Sequence, residues 1–121
     1  MKKNLKLIFF SLVLISCAGK DIENVKIKGT VFNKQTDMPI KNSNITIEVE
    51  CSKYDNSPDE SYNDYEIKTV KIDADGNYSV SFNKGALVIF DVAVNGYSRY
   101  IYKLDISKSE NTHDIYLIPL H

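Results

Sequence analysis

The stretch Asn44-Ile45-Thr46-Ile47-Glu48-Val49-Glu50-Cys51 decides the fold. Apolar side chains fall at every second position, with threonine or glutamate between them. A period of two sends alternate side chains to opposite faces of an extended strand, one face for a core and one for water. Ile, Val and Thr are branched at Cβ, which suits a pleated surface better than a helix.

The same period recurs outward from this segment. Val25, Ile27 and Val31 alternate with Lys26, Lys28 and Thr30; Tyr78, Val80 and Phe82 alternate with Ser79, Ser81 and Asn83. Val88, Phe90, Val92 and Val94 share one face of a nearly all-apolar run, and Tyr100, Tyr102, Leu104 and Ile106 share another. Seven strands are expected, at about 25–33, 44–51, 65–73, 77–83, 87–94, 98–106 and 112–118. Asp75-Gly76, Asn83-Lys84-Gly85 and Asn95-Gly96 read as the reversals between them, Asp75-Gly76 as a hairpin turn. Pro39 lies in the first loop, where it removes no ladder hydrogen bond. Short strands at this spacing predict an all-β sandwich or barrel.

The whole chain has 121 residues, 43% hydrophobic and 26% charged, which is material for one small domain. Its net charge of -1 offers no basic footprint for nucleic acid. Residues 1–16 stand apart from the fold. Lys2, Lys3 and Lys6 precede an apolar run from Leu7 to Ile15 that only Ser11 interrupts. The run is too short to span a bilayer, which takes about 20 helical residues, and matches the apolar region of a secretory signal. Leu14-Ile15-Ser16-Cys17 resembles the lipobox of bacterial lipoproteins. That resemblance implies a diacylglyceryl group on Cys17 and cleavage before it, with residues 17–24 as a lipidated tether. Lys20 and Asp21 resemble the Lys-plus-acidic signal that sends some lipoproteins to the outer face of the outer membrane. Loss of residues 1–16 removes three of the 15 basic residues, leaving 12 against 16 acidic, a charge of -4. With Cys17 acylated, Cys51 has no partner and continues the apolar alternation, which reads as a small buried hydrophobe.

Within residues 25–120, five motifs in order resemble carboxypeptidase regulatory-like domains. They are Lys28-Gly29-Thr30-Val31, the Pro39-Ile40 step, Asp73-Ala74-Asp75-Gly76-Asn77-Tyr78, Val94-Asn95-Gly96-Tyr97 and Asp114-Ile115-Tyr116-Leu117. The resemblance implies a seven-stranded antiparallel Greek-key β-sandwich, transthyretin- or prealbumin-like, of a kind usually non-catalytic. Lys41-Asn42-Ser43 lacks the small Gly-Ala step usual after the proline, and the loop 53–64 is longer than typical.

That loop carries Tyr54, Asp55, Asp59, Glu60, Tyr62 and Asp64. Sugars stack on aromatic rings while their hydroxyls bond carboxylates, and hard cations want clustered oxygens, so these residues are the candidate glycan- or cation-binding set. Leu87, Ile89, Ile101, Tyr116 and Ile118 fall on the faces opposite the expected core and form a candidate docking patch if their strands are neighbours. His113 and His121 are the only histidines, and His113 and Asp114, adjacent in a strand, point to opposite faces. No nucleophile–base pair, metal-ligand spacing or cofactor motif emerges. The sequence therefore predicts a lipid-anchored module of the outer membrane that is no enzyme. Its expected partners are the membrane, through Cys17, and an envelope protein or glycan.

Overall fold

A computed structural model of the chain describes residues 21–42, 44–54, 62 and 64–121. Residues 1–16, Cys17, Asp55, Asp59 and Glu60 lie outside the described residues. The described chain is all-β, two sheets packed face to face. Its strands are β1 (Ile22–Asn33), β2 (Thr46–Lys53), β3 (Asp64–Lys71), β4 (Asn77–Gly85), β5 (Leu87–Val92), β6 (Tyr100–Asp105), β7 (Glu110–Thr112) and β8 (Ile115–Leu117). The first sheet has β1 in its middle, with β4 on one side and β7 and β8 on the other. The second runs β3-β2-β5-β6 and is antiparallel throughout.

The alternation read from the sequence sets the core. Val25, Ile27, Val31, Tyr78, Val80, Phe82, Ile115 and Leu117 of the first sheet face Ile47, Val49, Cys51, Val88, Phe90 and Val92 of the second, all buried. Burying each Val, Ile or Phe side chain contributes roughly 1.5–3 kcal/mol.

Three details differ from the sequence reading. The last expected strand divides into β7 and β8, and both pair with β1 in parallel rather than antiparallel, making eight strands. At the break, Thr30 N–H donates to the Asp114 side chain, while the His113 N–H donates to Lys28 O. Secondly, β1 begins at Ile22, so Ile22 and Glu23, within the segment read as tether, are paired with β4. Asn24 sits at φ 52°, and Ile22 reaches the core although it is out of phase with Val25. Thirdly, two turn signals join different sheets. Asp75-Gly76, with Gly76 at φ 85°, connects β3 to β4 across the sandwich, its loop fixed by Asp73 Oδ1 accepting from the Asp75 and Asn77 N–H groups. Gly85 belongs to β4 itself, and the chain crosses to β5 through Ala86.

Candidate functional site

The outer face of the second sheet follows from strand register. Tyr65, Ser52, Leu87 and Asp105 form one cross-strand row; Ile67, Glu50, Ile89 and Lys103 form the next; Thr69, Glu48, Asp91 and Ile101 form a third. Residues directly opposite in an antiparallel pair share a face, so these rows are one surface. Tyr65, Ile67 and Ile101 are 61%, 49% and 56% exposed on it. Arg99 grips Asp91 with a two-pronged pair, Nε to Oδ1 at 2.9 Å and Nη2 to Oδ2 at 2.5 Å. That hydrogen bonding holds the Asp91 carboxyl below its ordinary range.

An aromatic pair stands at the β2–β3 end of this sheet. Tyr54 follows β2, Tyr62 precedes β3, and their rings stack with centroids 5.0 Å apart and planes at 23°. The Tyr54 N–H donates to Asp21 Oδ1 at 2.8 Å, tying this end to the start of the described chain. Lys53 Nζ approaches Asp64 Oδ2 at 3.8 Å. Tyr62 is 47% exposed. Desolvation, a hydrogen bond with Tyr54 and the nearby Asp105 carboxylate raise its pKa, so the phenol stays neutral and able to donate. The arrangement offers an exposed aromatic surface bordered by carboxylates, chemistry suited to a polyhydroxylated ligand.

Of the sequence-predicted loop residues, the structure brings Tyr54 and Tyr62 together and sets Asp64 beside Lys53. The predicted docking patch is not one surface. Leu87, Ile89 and Ile101 share the outer face of the second sheet, because β5 and β6 are neighbours. Tyr116 lies in the first sheet, where it pairs with Phe32 and stacks on it at 5.0 Å beneath Lys34 Nζ. Ile118 follows β8, its carbonyl accepting from the Ser98 N–H. Alternation assigns a residue to a face but not to a sheet, which is why the two groups were joined.

Sequence reading missed Tyr65 and Ile67 as outer-face residues; the step from Ile67 to Val70, which breaks the period of two, was the available signal. It also missed an enclosure around His113. The imidazole stacks on Phe90 at 4.6 Å and Tyr102 at 4.5 Å, and Nε2 lies 2.8 Å from the Tyr100 hydroxyl. Burial lowers its pKa against a smaller opposing effect of Asp114. Tyr100, desolvated beside Tyr102, is pushed up to about 12. Among the described residues, no group of three or more His, Cys, Asp or Glu is placed to hold a metal ion.

No family model matches the chain, and no curated protein does. Solved structures share its fold. It is similar to 3-chlorocatechol 1,2-dioxygenase from Rhodococcus opacus, at 10% identity and TM-score 0.61 over 84% of this chain and 61% of that one. It is also similar to a Bacteroides uniformis protein provisionally described as carbohydrate-binding, at 17% identity and TM-score 0.53 over 80% of this chain and 42% of that one. A DUF3823 family protein from Parabacteroides merdae aligns at 10% identity and TM-score 0.54, over 82% of this chain and 48% of that one. The chain thus spans about half the length of the structures it matches. These likenesses define the chain as a two-sheet β-sandwich. They also correct the expectation that it is no enzyme, which rested partly on the fold: the same sandwich is found in dioxygenases, at an identity where the likeness is of fold alone.

Proposed function

We propose that the chain is a lipid-anchored β-sandwich of the bacterial outer membrane that binds carbohydrate at the tyrosine-rich end of its second sheet. The observation that carries the reading is the stacked Tyr54–Tyr62 pair, half-exposed beside the outer-face row of Tyr65 and Asp105. A sugar laid on such rings buries its C–H face while its hydroxyls reach carboxylates and phenols. The carbohydrate-binding description of the Bacteroides uniformis protein of like fold supports the ligand class. The carboxypeptidase regulatory-like motifs support an accessory role, and the basic, apolar and cysteine-bearing leader supports the anchor. Several acyl chains on one cysteine hold a protein far more firmly than one, since each buried methylene contributes roughly 0.8 kcal/mol.

A glycan array probed with the detergent-purified protein tests the binding. Wild type should retain a defined set of glycans, and Tyr62→Ala should weaken that binding about tenfold. Retention of nothing, or equal retention by Tyr62→Ala, contradicts the site. Metabolic labelling with palmitate tests the anchor. Wild type should be labelled and Cys17→Ser should not; a labelled Cys17→Ser protein rules the anchor out.

A further inference from the structure

A second recess lies against β1 and β7, bordered by Asp105, which also stands near Tyr62. It measures about 640 Å³, within the few hundred to 1,000 Å³ usual for small-molecule sites. Its lining includes Lys26, Lys28, Lys108, Asp105 and Glu110, with the hydroxyls of Ser79, Ser107 and Thr112 and an apolar floor of Ile27 and Leu104. Lys26 and Lys28 sit two apart on the outward face of β1, and Lys108 arrives from the link between β6 and β7. All three are exposed, and none makes an ion pair among the described residues.

The wall bearing Lys108 is built in place. Asn111 Nδ2 donates to Lys108 O at 3.0 Å, Ser109 O at 3.3 Å and Lys26 O at 3.4 Å. The Lys26 N–H donates to Ser109 O at 2.7 Å. One side chain and one backbone bond thus lock the 107–109 segment onto β1, so a ligand need not order it. Three lysines against two carboxylates leave one excess positive charge, the complement of one carboxylate. Hydroxyl and apolar groups around that charge fit the two sides of a sugar ring.

We infer that this groove binds a saccharide carrying one carboxylate per ring, its acid group held among Lys26, Lys28 and Lys108. The ligand class rests on the carbohydrate reading above, but the site does not use the tyrosine pair.

Calorimetric titration of the full-length protein in detergent, with trigalacturonate and with neutral galactotriose, tests this. The acidic trimer should bind at least about tenfold more tightly than the neutral one, and 0.3 M salt should erode the difference. The Lys28→Gln, Lys108→Gln double variant should lose that preference, while Tyr62→Ala should keep it. Equal affinity for the two trimers, an unchanged double variant, or inorganic phosphate competing at equal concentration would overturn the inference. Glycan binding lost only in Tyr62→Ala would sink this groove and leave the tyrosine site standing. Loss only in the lysine variant would do the reverse.

Discussion

Gly29 shows how one residue shapes the first sheet. A Cβ there would lie 1.9 Å from His113 O and 2.9 Å from the Tyr78 ring. The clash is mainly with backbone, so it cannot be relieved by a rotamer change. Without a side chain at 29, the carbonyl of His113 comes close and accepts the Tyr78 hydroxyl at 2.5 Å. Gly29→Ala should lower unfolding free energy by about 3 kcal/mol or prevent folding, read by urea denaturation. Gly96→Ala is the control: nothing lies within 4 Å of its Cβ, and only the φ of +89° opposes it, for a loss of about 1 kcal/mol. Equal losses would show that close approach is not what position 29 requires. Gly85 differs from Gly29 in that its Cβ would meet a side chain, Cys51 Sγ at 2.2 Å, rather than backbone. Cys51 is buried there, with desolvation pushing its thiol up to about 11, as suits a core side chain rather than a nucleophile.

Between β7 and β8, the element that most affects pH behaviour is the short link holding His113. Phe90 and Tyr102 enclose the ring, Tyr100 bonds it, and Tyr78 bonds its carbonyl, while Asp114 is the nearby charge. Burial favours the neutral imidazole, so the unfolded chain binds the proton more readily. The stability this contributes is complete above the unfolded value of about 6.5 and is lost as pH falls toward the lower folded value. Denaturation midpoints should therefore drop over the interval just below about pH 6.5, and His113→Phe should flatten it. A wild-type profile flat across the interval would contradict the enclosure. Strand existence was legible here because side-chain alternation is local: Ile47, Val49, Phe82 and Phe90 each announce their face to the next residue but one. Strand partners were not legible. Asp75-Gly76 has the same local chemistry whether the chain returns beside itself or crosses to another sheet, and the outcome depends on contacts far along the sequence. The parallel pairing of β7 and β8 with β1 is likewise set by residues more than 80 positions apart.

On the scale of the whole molecule, two surfaces of different chemistry adjoin at Asp105. The second sheet shows a mixed apolar and charged outer face ending in Tyr54 and Tyr62, whereas lysines and hydroxyls line the recess against β1 and β7. The candidate loop was partly readable in advance, because two tyrosines among acids are conspicuous in sequence. The recess was not, because Lys26 and Lys108 meet only through the fold. The expected mature charge of -4 leaves no general attraction to anions, so an anionic sugar would depend on the local lysines. The lipid anchor, were it present, would join the sandwich to the membrane through the short segment before Ile22, with Asp21 already tied to Tyr54.

The most direct test of the central proposal is an NMR titration of the tyrosine ring signals with a glycan retained on the array. The chain has eight tyrosines and no tryptophan, which keeps the aromatic spectrum tractable. Carbohydrate binding at the proposed site predicts saturable shifts at Tyr54, Tyr62 and Tyr65, with the buried Tyr78 unmoved. Saturable shifts confined to other tyrosines, or none at all, would contradict it.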